Sequence, residues 1–434
     1  MATIRAFRAL RPQEDKAAEI AAASYDLINS EEARETARSP ISFLHVLRLL
    51  RPEIALSDDI DPYSDLVYHR ASENLQKLIR DRLFFLERRP GIYAYRLRMK
   101  EHTQVGVVAC CSLDEYDDDT IRRHEQTFKE KEDDRTRHAL VLRAQTGPVL
   151  LTYRGRGSIN KFVSVAKTKS PLYDFTSRDG VQHTLWRIDA RACDRLIEEF
   201  RSVPYLYIAD GHHRIASAAR VRAQMRSANT SHTGEEAYNF FIAALFPADQ
   251  LQILPYNRVV KHLNGVSAGE FITALAERFV VTDQASPSPK QTGEISMYLD
   301  GHWYGFKARH VNSSGNGHVA SLDLNLLQQH ILDPLLGIKD AHTSEHIGFV
   351  GGPDVTAMLE RTVDEGHAAI AFSVCPIRVS RLMEIADKGE IMLPKSTWFE
   401  PKPCDGLLIH LLDIDSQAPS DSLENSCEQA LMAL

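Results

Sequence analysis

Asp210-Gly211-His212-His213-Arg214 follows directly on the apolar run Tyr205-Leu-Tyr-Ile-Ala209, and a helix-like stretch starting at Ile215 comes after it. A buried strand that ends in Asp-Gly and turns into a helix sets polar groups at the carboxyl edge of a sheet. It also presents backbone N–H groups at the helix's first turn. Gly211 permits a tight turn and close approach of a ligand. Arg214 can give several donors to phosphate oxygens, and a nearby histidine can add a donor or a charge. Asp210 would repel bare phosphate, so its role is to hold Mg²⁺ or to orient one of the histidines. His212 and His213, being adjacent, leave a helix in different directions and cannot share one role. The same five residues could also simply brace the junction as cap, turn and buried network. Five such residues directly after an apolar strand are costly to arrange for structure alone.

Two further clusters carry chemistry. In Arg122-Arg123-His124-Glu125, helical spacing would put Arg122, Glu125 and Lys129 on one face. Glu125 could then act as a general base towards a substrate hydroxyl, with the cations attracting anionic oxygens. An exposed salt-laced helix accounts for the same pattern. Positions 128 and 129 are Phe and Lys, so there is no HExxH zinc motif. In Leu393-Pro-Lys-Ser-Thr-Trp-Phe-Glu-Pro-Lys-Pro, Lys395, Ser396 and Thr397 offer a compact donor set between stiffening prolines. That segment could close over a substrate or pack as a surface loop. Neither GxxxxGK[ST] nor GxGxxG occurs.

The elements that must position these groups read as mixed α/β. Three consecutive units are expected: an N-terminal unit over 1–113, a core over 114–260 holding the His-Glu and Asp-Gly-His-His-Arg segments, and a C-terminal unit over 261–434. Expected strands include Gly91–Arg98 paired as a hairpin with Gln104–Cys111, then Val149–Tyr153, His183–Ile188, Tyr205–Ala209, Tyr238–Phe246 and Ala368–Val374. Expected helices include Tyr63–Leu83, Ile121 into Arg135, Ala190–Phe200, Phe271–Phe279 and Val379–Ala386, with another beginning at Ser30. Ser42–Arg48 is strand-like, and the regions around Gly155–Gly157 and Arg226–Glu236 read as polar connections.

The chain has 434 residues, 43% of them hydrophobic, and a net charge of -8. The acidic balance argues against gripping nucleic acid by its phosphates, while leaving room for a local cationic pocket. Six cysteines without CxxC spacing suit a reduced compartment. With no signal-like start and no long apolar run, a cytoplasmic location is the default expectation.

The ordered set Ile4–Pro12, Tyr25–Ile28, Pro40–Val46, Arg123–Thr127, Ala209–Arg214 and Met392–Lys402 resembles a bacterial and archaeal family known as domain of unknown function 1015, over nearly the whole chain. The Asp-Gly-His-His-Arg region is also similar to that of the ParB/sulfiredoxin-like fold, which includes archaeal ADP-dependent free-serine kinases. This resemblance implies a ParB/sulfiredoxin-like core with family-specific elaborations. It also implies that Asp210, His212, His213 and Arg214 form a nucleotide-phosphate and Mg²⁺ region, with Glu125 as base. The expected reaction is phosphoryl transfer from ADP or ATP to a small hydroxyl metabolite, such as a hydroxy amino acid. A phosphatase of small esters and a nucleotide sensor are the alternatives. The full expected site set is Glu125, Asp210 and His213 as catalytic groups, Asp210 as metal ligand, and Arg123, Gly211, His212, His213, Arg214, Lys395, Ser396 and Thr397 as cofactor-binding groups.

Overall fold

Long uninterrupted apolar runs require strands covered on both faces, and the longest of them form the middle of one large sheet. The computed structural model describes residues 1–23, 33, 35–47, 61, 63–309, 318–341 and 343–413. The segment Tyr25–Ile28 and the start of the helix expected at Ser30 lie outside these residues.

The chain divides into two units. The first takes in residues 1–122, 127–251 and those from Pro401 onward; the second takes in Arg123–Gln126 and Gln252–Glu400. This differs from three consecutive units because the chain's late strand Ile409–Leu411 pairs with Ala9–Pro12 and Ala144–Gln145.

In the first unit the sheet order is Ile121–Arg122, Leu206–Asp210, Val149–Tyr153, Phe240–Pro247, His102–Ser112, Tyr93–Met99, Gln182–Arg187 and Tyr173–Thr176, with Ile4–Arg5 also on His102–Ser112. Two pairings are parallel, Leu206–Asp210 with Ile121–Arg122 and Phe240–Pro247 with Val149–Tyr153; the others are antiparallel. The fold is therefore mixed α/β. The expected hairpin is present, Tyr93–Met99 against His102–Ser112. The helix Ala190–Phe200 buries Cys193, Leu196 and Phe200, spacings of three and four that make one apolar stripe facing the sheet core.

The second unit is built on a six-stranded antiparallel sheet in the order Phe279–Asp283, His302–Ala308, Glu294–Leu299, Ile370–Val374, Tyr256–Val260 and Ile347–Gly351. Phe271 and Leu275 of the helix Ala268–Arg278 pack with Met297, Phe306 and Phe372 in its core.

Four local expectations are corrected. Residues 121–128 form no helix: Ile121–Arg122 is a strand, and the helix starts only at Lys129. Strand pairing to Leu206–Tyr207 overrides helical spacing there, and the Arg122 guanidinium lies 3.5 Å over the Tyr205 ring. The shared face of Arg122, Glu125 and Lys129 therefore does not exist. Leu44–Leu47 is a short helix burying Leu44 and Val46, not a strand. Gly157–Ala166 is a helix whose Ile159, Val163 and Ala166 face inward at helical spacing. The helix after the Asp-Gly turn runs on to Ala228 and takes in the first three residues of the connection expected over Arg226–Glu236. No described helix is long and apolar enough to cross a membrane.

Two buried imidazoles make the first unit acid-sensitive. Burial lowers His183 and His410 from 6.5 to about 4. A base with a depressed folded pKa contributes stability that is complete above 6.5 and is lost as pH falls from 6.5 towards 4, because the unfolded chain takes up the protons. At pH 5 each histidine should cost about 2 kcal/mol relative to pH 7. Urea unfolding at the two pH values should show that loss, and His410→Phe should reduce it.

Candidate functional site

The strand Leu206–Asp210 ends in a register shift against Leu150–Leu151, with Ile208 opposite Leu151 and Asp210 opposite Leu150. Such a bulge re-aims the side chain that follows it. Gly211 then sits at φ 95°, ψ 29°, the left-handed region that glycine enters without steric cost. Its carbonyl accepts from Arg214 N–H at 2.9 Å and from Ile215 N–H at 3.2 Å, closing the first turn of the helix His212–Ala228.

Arg214 is held rather than loose. Its Nη2 donates to Asp405 Oδ2 at 2.7 Å, and the two side chains are 16% and 3% exposed, so the pair is largely shielded from water. Gly147 packs against both: a Cβ there would lie 1.5 Å from Asp405 Oδ1 and 2.7 Å from Arg214 Nη1. Asp210 is partly exposed at 40%, and the buried Lys402 ammonium lies 3.5 Å from its Oδ2. Lys402, Asp405 and Gly147 were not singled out from the sequence. Lys402 does close the Met392–Lys402 motif, which was the available signal. Asp405 and Gly147 carry no local pattern that marks them.

The segment carrying Lys402 and Asp405 is strapped to the first unit. Gln104 Nε2 donates to Pro401 O at 3.1 Å, and Asp405 exchanges both backbone hydrogen bonds with Ala22. Cys404 N–H donates to Tyr95 Oη at 3.3 Å, and Tyr95 Oη lies 2.7 Å from His183 Nδ1. Burial raises the Cys404 thiol well above its ordinary value and keeps His183 neutral near pH 7, so this network anchors the segment without titrating there.

The two histidines do differ. His212 is buried; His213 stacks on Phe128 with ring centroids 5.5 Å apart, and its Nε2 accepts from Phe128 N–H at 3.1 Å. That bond puts the proton of a neutral ring on Nδ1. His213 thus offers a donor from Nδ1, and its Nε2 lone pair is already engaged.

In the second unit Glu125 makes a parallel bridge to Met392, and Met392 N–H donates to His124 O at 2.9 Å. Lys395, at φ 55°, has its N–H 3.4 Å from Glu125 Oε1. Arg258 is buried beneath this loop and donates to the Lys395 carbonyl at 3.0 Å. Desolvation lowers Arg258 to about 10, opposed by Tyr256 and the Glu125 carboxylate. Lys395 Nζ rests 4.0 Å from the Phe349 ring centroid, and Ser396 Oγ donates to Leu393 O. The Lys395–Thr397 segment is therefore a packed loop that brings a backbone donor to Glu125. Arg123 is exposed.

A phosphate-bridged Mg²⁺ generally takes one or two protein carboxylates and keeps other positions for phosphate and water. Asp210, 40% exposed but with its Oδ2 facing the Lys402 ammonium at 3.5 Å, is the carboxylate at the turn that could take one such position. Asp405, committed to Arg214, does not supply another.

No curated protein matches the sequence. Among solved structures, a conserved hypothetical protein from Pyrococcus furiosus is 14% identical, with a TM-score of 0.34 over 69% of this chain and 94% of its own. A free serine kinase in complex with AMP is 13% identical, with a TM-score of 0.35 over 69% of this chain and 91% of its own. SbnI with a C-terminal truncation, from Staphylococcus aureus, is 11% identical, with a TM-score of 0.38 over 75% and 95%. The sequence itself identifies the family: residues 4–325 match the one described as "Protein of unknown function (DUF1015)", and the chain belongs to it.

Proposed function

We propose that the protein is a small-molecule phosphotransferase that uses ADP or ATP with Mg²⁺, on a ParB/sulfiredoxin-like core. The observation that carries this reading is the Gly211 turn, where a bulged strand, a helix N-terminus, the buried Lys402 and the braced Arg214 converge around Asp210. Backbone N–H groups and fixed cations are what a transferring phosphoryl group requires, because its charge is spread over three oxygens. Arg214 and Lys402 bind and orient the phosphates, His213 donates from Nδ1, and Asp210 would hold Mg²⁺. The metal would supply positive charge that offsets the negative charge of the phosphates.

We assign Glu125 as the group that takes the acceptor hydroxyl's proton. The acceptor oxygen forms its bond to phosphorus, the bond from phosphorus to the nucleotide's bridging oxygen breaks, and the electron pair leaves with the shortened nucleotide. Glu125→Gln should leave nucleotide affinity within about twofold and lower turnover by about a hundredfold or more. The reaction is read by phosphorus NMR with nucleotide, Mg²⁺ and a pool of hydroxy metabolites. A new phosphomonoester that depends on nucleotide supports the reading. Phosphate release from esters without nucleotide would make the protein a phosphatase, and binding without turnover would make it a sensor.

A further inference from the structure

The second unit contains a cavity of about 450 Å³, a volume suited to a small metabolite. Its walls include Leu324, Val374 and Ile377, and its charged lining consists of Asp323, Arg378, Arg381 and Glu384. Two of those charges compensate one another: Arg381 Nη1 lies 3.1 Å from Glu384 Oε2 and also meets His318. The other two are left over. Asp323 is 5% exposed; its Oδ1 accepts from Gly293 N–H at 2.6 Å, whereas its Oδ2 is buried with no hydrogen-bond partner among the described residues. The Arg378 side chain is exposed and makes no hydrogen bond or ion pair with the described residues.

A buried carboxylate oxygen without a donor is costly to leave unsatisfied. Apolar walls, a leftover carboxylate inside and a leftover guanidinium at the surface specify a ligand by charge. We propose that this cavity binds a small zwitterion of the amino-acid class, its ammonium on Asp323 and its carboxylate on Arg378. The apolar walls take the methylene body between the two ends. This assignment concerns binding alone and stands whether or not the protein transfers phosphate. The site shares Met392 and Ser396 with the loop on which Glu125 rests, so a bound ligand would touch that loop. Desolvation raises the Asp323 carboxyl to about 6, opposed chiefly by the Gly293 backbone amide. Ammonium binding requires the ionised form, so affinity should fall as pH drops through about 6.

The full chain is titrated with the common α-amino acids, γ-aminobutyrate and ε-aminocaproate, and with caproate and hexylamine as single-ended controls, using calorimetry and saturation-transfer NMR. At least one zwitterion should bind, with loss of either end costing about tenfold or more in affinity. Asp323→Asn should remove the preference for the amine end, and Arg378→Ala, at an exposed position, the preference for the carboxylate end. If Asp323→Asn fails to fold, the Arg378→Ala comparison and the pH profile of the unaltered chain decide. Absence of zwitterion binding at millimolar concentrations overturns the proposal, as does equal binding of the single-ended controls or unchanged selectivity in the folded variants.

Discussion

Gly147→Ala should destabilise the first unit by on the order of 3 kcal/mol. The new methyl carbon would fall 1.5 Å from Asp405 Oδ1 and 2.7 Å from Arg214 Nη1, so at least one of the two must move. Gly147 is not in the left-handed region, so the requirement for glycine here is close approach rather than backbone conformation. The chain cannot relieve the clash cheaply, because Asp405 is tied to Ala22 through both its backbone groups. Urea unfolding measures the loss, and nucleotide affinity should fall with it as Arg214 is displaced. Wild-type stability in this variant would mean that the Arg214–Asp405 pair is looser than described.

Asp405→Ala is expected to cost about 2–3 kcal/mol, near the lower end of the range for breaking a buried pair, because Arg214 keeps 16% of its side chain in contact with solvent. The penalty comes from leaving a guanidinium partly buried without its counter-charge. A double variant Asp405→Ala/Arg214→Ala should therefore be more stable than the sum of the two single losses, as a double-mutant cycle by urea unfolding would show. Additive losses would mean that the pair contributes through packing alone.

What the sequence made legible follows from which signals are local. The apolar run before Asp210, the small residue after it and the cluster of His and Arg announce a strand, a turn and a polar site within ten positions. The structure has all three, with the helix beginning at His212. The helix Ala190–Phe200 was equally legible because its stripe is complete within its own length. Residues 121–128 were not: their charges have helical spacing, yet the backbone of Ile121–Arg122 finds its partners 85 positions away in Leu206–Tyr207. The same distance effect hid Lys402 and Asp405. Both lie about 190 positions beyond the turn, and nothing near them in sequence says which side chain they will meet. Gly147 carries no mark in the sequence, since its constraint comes from two distant side chains. His213 was expected as a catalytic group of the motif; its Nε2 accepts from the N–H of Phe128, 85 positions away, a partner that nothing near it in sequence announces.

The turn at Gly211 is proposed to grip nucleotide phosphates with Lys402 and Arg214. Calorimetric titration of ADP and ATP into the folded chain, with Lys402→Met and Arg214→Lys alongside, tests it most directly. The expected result is binding by the unaltered protein, weakened about tenfold or more by each substitution, since each removes charge-assisted donors to phosphate. Absence of nucleotide binding by the unaltered protein, or equal affinity in both folded variants, would contradict the account.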